Sequence, residues 1–134
     1  MTPLEKVISE IIAGEGPMRI DRYMGLCLGH PEHGYYMARD PFGARGDFIT
    51  APEASQVFGE LIGIWCMSAW QAMGAPAPFN LVELGPGRGT LMSDILRTAR
   101  QAMADFANAA SVHLVEISPV LRGLQETALG ADVH

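Results

Sequence analysis

Apolar and polar positions along the chain follow a helical rhythm first and a strand-and-helix rhythm later. Thr2-Pro3-Leu4-Glu5 is a capping box with Pro in the first turn, and predicts a helix through Ile11-Ile12 that ends at Gly14. Asp21 is a second N-cap candidate, for a short helix through Leu28. Turn residues dominate from Gly29 to Gly46 (His30-Pro31, Gly34, Asp40-Pro41, Gly43). So long an irregular stretch in a compact domain is usually functional or disordered. Thr50-Ala51-Pro52-Glu53 repeats the capping-box pattern. The helix it opens places Ala54, Val57, Phe58, Leu61, Ile62 and Trp65 on one apolar face, at spacings of three and four. Trp65 and Trp70 read most simply as core residues of that helix.

Gly74-Ala75-Pro76-Ala77-Pro78 divides the chain. Residues 1–74 form an irregular, mainly helical cap, and residues 79–134 an orderly strand-loop-helix-strand pattern. Phe79 to Leu84 is a short apolar strand. Thr90 to about Ala107 is a helix with Leu91, Ile95, Leu96 and Ala99 inward. Ser111 to Ile117 is a second strand, and Ser118-Pro119 an N-cap followed by Pro at the first helical position. This order predicts an α/β fold.

Leu61 to Val82 holds no charged residue, long enough for a membrane span. Gly74, Pro76 and Pro78 break it, and Gln71 and Asn80 interrupt its apolar character, so a buried helix, a turn and a strand are the better reading. Composition narrows the rest. The 134 residues are 49% apolar and 18% charged, too apolar for a disordered chain. Fifteen acidic residues against nine basic ones give a net charge of −6. The scattered basic residues, eight Arg and Lys6, argue against binding nucleic acid through a basic surface. Cys27 and Cys66 lie in apolar runs without a partner at metal-ligand spacing, and suit a reducing, cytoplasmic setting. Glu5, Glu10 and Glu15 make the N-terminus unlike a signal or transit peptide.

The most informative segment is Leu81-Val82-Glu83-Leu84-Gly85-Pro86-Gly87-Arg88-Gly89-Thr90, between the predicted strand and helix. Glycines there let the backbone turn sharply and let a ligand approach the main chain. The helix N-terminus behind them offers unpaired N–H groups. A dinucleotide fingerprint wants a glycine at the sixth position, where Thr90 stands, and a P-loop wants a Lys that is absent. The spacing Glu83-x-Gly85-x-Gly87-x-Gly89 is instead that of the first motif of class I methyltransferases using S-adenosyl-L-methionine. An acid at the end of the next strand would accept bonds from ribose hydroxyls, and Glu116 stands there. An NAD(P)-binding oxidoreductase of Rossmann type is the alternative, and a non-catalytic assembly module that keeps the pocket is a third.

The N-terminal region adds a second match. His30-Pro31-Glu32-His33-Gly34-Tyr35-Tyr36-Met37, the run from Phe42 through Gly46-Asp47-Phe48-Ile49-Thr50-Ala51-Pro52-Glu53, and Ser55-Gln56-Val57-Phe58-Gly59-Glu60 closely resemble the N-terminal portion of the MidA family. The resemblance covers nearly the whole chain. It implies a Rossmann-like methyltransferase core preceded by the cap, S-adenosyl-L-methionine as cofactor, and a protein substrate with an arginine acceptor, on a respiratory complex I subunit in the mitochondrial member. In a processed organellar homologue the location would be the mitochondrial matrix.

Within this frame Gly85, Gly87 and Gly89 are expected beside the methionine part of the cofactor. Glu83 would hold the loop or the amino group, and Glu116 the ribose. Gly46, Asp47, Phe48 and Thr50 would close the site from the cap side. Methyl transfer from an activated sulfonium needs mainly alignment, so no nucleophile or metal is required. An arginine acceptor would need carboxylates, for which Asp47 and Glu53 are candidates, although Asp47 could cap a turn and Glu53 already serves the capping box. Pro31 and Gly34 keep His30 and His33 from lining up as metal ligands. Tyr35-Tyr36 could cover the cofactor or simply pack, and Arg88 could meet a carboxylate or be solvated. A seven-stranded core would continue past His134. The sequence is therefore expected to be a fragment of a protein more than twice as long, with an exposed apolar sheet edge, a tendency to associate and no activity alone.

Overall fold

The computed structural model describes residues 1–37 and 49–130. The elements run α1 (Pro3–Glu15), α2 (Ile20–Gly29), α3 (Ala51–Ala54), α4 (Gln56–Ala72), β1 (Phe79–Leu84), α5 (Thr90–Ala102), α6 (Ala104–Ala109), β2 (Ala110–Val115) and α7 (Pro119–Leu129). The fold is α/β, with a helical N-terminal part. The two strands pair in parallel, from Phe79 opposite Ala110 to Leu84 opposite Val115. Parallel neighbours need a crossover, and α5 with α6 supplies it.

The starts of α1 and α7 follow local capping chemistry. Thr2 Oγ1 accepts the Glu5 N–H at 3.2 Å and Glu5 Oε2 accepts the Thr2 N–H at 3.0 Å, so both arms of the first capping box form. α1 runs one residue past Gly14 and stops at Gly16, whose φ of +89° ends the helical path. Asp21 is not an N-cap. Arg19 occupies the N-cap position of α2 without a side-chain cap bond, and the Asp21 carboxylate in the first turn accepts from Arg19 Nε at 3.0 Å. Ser118 caps α7 as expected, its Oγ accepting from the Leu121 N–H, with Pro119 next.

The second capping box does not form. Thr50 precedes α3 without a side-chain cap bond, and the chain breaks at Ser55 in extended backbone before α4 starts. The expected inward face of α4 is also wrong. Ala54, Val57, Phe58, Leu61 and Trp65 are exposed, Trp65 to 68%, and the buried residues are Gly59, Gly63, Met67 and Trp70. α4 is apolar on almost every side, so the stripe that packs is the one permitting the closest approach. A Cβ on Gly59 would lie 2.5 Å from Asp94 Cβ, and one on Gly63 3.2 Å from Ile95 Cα. Two glycines seat α4 against α5.

Trp70 meets the core expectation at 5% exposure. Its ring stands edge-on to Phe106 at 5.6 Å, and Phe79 packs on Phe106 at 5.0 Å. Its indole N–H donates to the Pro76 carbonyl at 2.8 Å, tying α4 to the turn before β1. Met92, Leu96 and Val112 form a second cluster under the strands, and Leu81 packs against both. The expected helix from Thr90 to Ala107 breaks at Met103 (φ −156°) into α5 and α6. Ile95, Leu96 and Ala99 are buried as expected, while Leu91 is half-buried. Val82, Leu84 and Val115 share the other face of the sheet and are exposed, Leu84 to 77%, so the open apolar surface there is a face of the sheet. Among the described residues no helix is long and apolar enough to cross a membrane.

Candidate cofactor site at the glycine loop

β1 hands its last backbone bond to the loop. The Gly85 N–H donates to the Val115 carbonyl at 3.0 Å, extending the ladder one residue beyond Leu84. Gly85, Gly87 and Gly89 then take φ values of +67°, +56° and +81°, a region L side chains rarely enter. The Gly89 N–H closes the turn on the Pro86 carbonyl at 2.8 Å, and α5 begins at the next residue. The three glycines have different surroundings. A Cβ on Gly85 would meet nothing within 4 Å, whereas one on Gly89 would press on Leu129 Cδ1 at 3.2 Å and Gln125 Cγ at 3.5 Å. Gly85 faces open space, and Gly89 seats the loop on α7. The buried Gln125 completes that seat by donating from Nε2 to the Gly87 carbonyl at 2.6 Å.

Two clefts meet at Gly85 and Gly87. The smaller, about 150 Å³, is lined by Thr50, Pro52 and Glu53 on the cap side and by Glu83, Arg88, Thr90 and Leu91 on the other. The larger, about 350 Å³, is lined by Tyr36, Val115, Glu116, Ile117 and Leu121. One is charged; the other is mainly apolar with a single carboxylate.

Burial pushes the Glu83 carboxyl above the ordinary glutamate range, with the Met92 backbone N–H offsetting part of the effect. Its Oε2 is buried and without a hydrogen-bond partner. An orphaned carboxylate oxygen is costly and marks a place where a donor is missing. Glu116 differs: its Oε1 accepts the Ser118 N–H at 2.8 Å, which fixes the carboxylate at the mouth of the larger cleft. Across the smaller cleft, Glu53 Oε1 accepts from the Thr90 hydroxyl at 2.6 Å, and Oε2 lies 3.5 Å from Arg88 Nη1.

Residues 61–133 match the model of a family of S-adenosyl-L-methionine-dependent methyltransferases. The chain belongs to that family. Its curated relatives within the methyltransferases include the protein arginine methyltransferase NDUFAF7 homologue of Drosophila melanogaster, mitochondrial, 51% identical over 91% of this chain and 28% of the relative. The human mitochondrial protein arginine methyltransferase NDUFAF7 is 48% identical over 96% of this chain and 30% of its own length. The chain thus spans about 30% of the length of these relatives. Among solved structures, a COG1565 superfamily methyltransferase from Burkholderia thailandensis, bound to S-adenosyl-homocysteine, superposes with a TM-score of 0.75 at 28% identity. That match covers 98% of this chain and 35% of the other.

The methyltransferase residues expected from sequence fall as follows. Glu83, Gly85 and Gly87 line the smaller cleft together with Thr50, and Gly85, Gly87 and Glu116 line the larger. Gly89 is packed behind the loop on α7. Gly46, Asp47 and Phe48 lie outside the described residues. Of the alternatives left open, Tyr36 lines the larger cleft and Arg88 meets the carboxylate of Glu53. The role given to Glu53 in a capping box is corrected: its carboxylate turns across the cleft because the Thr90 hydroxyl and the Arg88 guanidinium compete for it. Gln125 was missed. A Gln four residues after Leu121, on the buried side of α7, is the signal that would have found it.

Proposed function

We propose that this chain forms the cofactor-binding part of a protein arginine methyltransferase, with Glu83, Gly85, Gly87 and Glu116 as the residues that hold S-adenosyl-L-methionine. The reading rests on one observation. A charged cleft containing an orphaned carboxylate oxygen and an apolar cleft with a fixed carboxylate join at a glycine loop with one open side. That shape suits a molecule with an amino acid at one end and a nucleoside at the other.

The residues fit the cofactor's chemistry. Glu83 Oε2 lacks a donor, and an ammonium group would supply one. Glu116, held by the Ser118 N–H, would receive ribose hydroxyls. Gly85 admits the chain between them against the main chain, and Tyr36, Ile117 and Leu121 would shield the base from water. Gly89 supports the loop from behind, and Thr50 stands at the cap-side wall. When bound, the cofactor supplies a methyl group already activated on sulfur. The chain's own work is alignment and exclusion of water. The dinucleotide alternative leaves Thr90 unexplained. Where such a fold wants a glycine for close packing, this chain places a hydroxyl bonded to Glu53.

The arginine acceptor is proposed from the relatives' names and from the MidA resemblance, which also points to a complex I subunit. The relatives are mitochondrial by name, which favours the mitochondrial matrix over the cytoplasm for this chain. In a protein that carries this chain at its relatives' full length, since the chain spans only about 30% of them, transfer of a labelled methyl group from S-adenosyl-L-methionine into protein extract, followed by mass spectrometry of arginines, tests the activity. Methylarginine that depends on Glu83 is expected. Cofactor binding without any transfer would instead make the protein an assembly module.

A further inference from the structure

We propose that Arg88 selects the amino-acid end of the cofactor by taking its carboxylate, and that Glu53 is the partner it releases to do so. The inference rests on the cofactor reading above and assigns a role to two residues that reading leaves aside.

The cleft beside Gly85 and Gly87 is lined by three charged groups among the described residues: Glu53, Glu83 and Arg88. An α-amino acid brings an ammonium and a carboxylate on one carbon. The ammonium suits Glu83, whose buried Oε2 lacks a donor. The carboxylate would be repelled by Glu53 and Glu83, so among these three side chains only the guanidinium can receive it. Planar guanidinium–carboxylate pairing is directional as well as attractive.

Arg88 is placed for an exchange. Its Nη1 sits 3.5 Å from Glu53 Oε2, an ion pair longer than a good hydrogen bond, and its side chain is 41% exposed. Glu53 is 17% exposed and anchored through its other oxygen to the Thr90 hydroxyl at 2.6 Å. The anchored carboxylate therefore keeps its place when the guanidinium leaves. Among the described residues Glu53 is thus the carboxylate that competes with the ligand for the guanidinium, and it acts on the ligand only through Arg88.

The test compares two ligands by calorimetry with the 134-residue chain. S-adenosyl-homocysteine carries the amino acid, and 5′-deoxy-5′-methylthioadenosine keeps the nucleoside without it. Arg88→Gln should weaken the first by about tenfold to a hundredfold, the range for one charge-assisted hydrogen bond, and leave the second within about twofold. Arg88→Lys, which keeps the charge without the planar fork, should recover part of the loss. Glu53→Gln, which can still accept from Thr90, should raise affinity for S-adenosyl-homocysteine about two- to fivefold, the scale of a partly exposed ion pair. Equal losses for both ligands in the Arg88 variants, or no loss for either, would overturn the assignment while leaving the cofactor reading intact. An unaltered chain that binds neither ligand would overturn both.

Discussion

Glu53 and Thr90 stand 37 residues apart in sequence and 2.6 Å apart in space, the carboxylate of α3 accepting from the first hydroxyl of α5. This bond fastens the N-terminal part to the start of the helix behind the glycine loop. Glu53→Ala and Thr90→Val should each cost about 1.5–3 kcal/mol, the range for a hydrogen bond to a charged group. The double variant should cost clearly less than their sum, as measured by denaturant unfolding. Additive losses would show that the two side chains do not support each other.

Gln125 gives the loop a second support, from α7 to the Gly87 carbonyl at 2.6 Å. Gln125→Met keeps the volume and removes the donor. The expected outcome is a stability loss of about 1 kcal/mol with a fall of roughly tenfold in S-adenosyl-homocysteine affinity, equivalent to ~1.4 kcal/mol. Unchanged affinity would mean the loop keeps its shape without α7.

Glu83 makes stability depend on pH in a definite direction. Its pKa is raised by burial, so the folded chain holds this proton more tightly than the unfolded chain does. The stability associated with that proton is fully present below the ordinary glutamate pKa and is lost as pH rises through the raised folded value. Glu83→Gln should flatten this part of the pH–stability curve and stabilise the chain at neutral pH. It should also weaken cofactor binding. A curve of unchanged slope would mean that Glu83 is solvated in the folded chain.

Gly59 and Gly123 should respond oppositely to alanine. A Cβ at Gly59 meets Asp94 Cβ at 2.5 Å, forcing α4 from α5 at a cost of about 1–3 kcal/mol. Gly123 lies inside α7 with nothing within 4 Å of an added Cβ, and Gly123→Ala should stabilise by roughly 0.5–1 kcal/mol. Thermal melts of the two variants read the difference directly.

These residues also show what the sequence made legible. The placement of Glu83, Gly85 and Gly87 at one loop was readable because a strand, a turn and a helix start are local, whereas the seat of Gly89 on α7 was not, since it depends on the distant Gln125 and Leu129. Glu116 was readable because it follows the next strand. Glu53 was not, since its local pattern offered a capping box and only the distant Thr90 and Arg88 draw it across the cleft. The inner face of α4 was hidden for a different reason. In a helix apolar on nearly every side, periodicity identifies a stripe without identifying the neighbour, and Gly59 with Gly63 decided the matter.

Calorimetric titration of the chain with S-adenosyl-homocysteine and, separately, with NADH tests the cofactor site most directly. The account predicts that the homocysteine ligand binds and that Glu83→Gln weakens it, while NADH gives no saturable heat. Saturable NADH binding with none for S-adenosyl-homocysteine would contradict it.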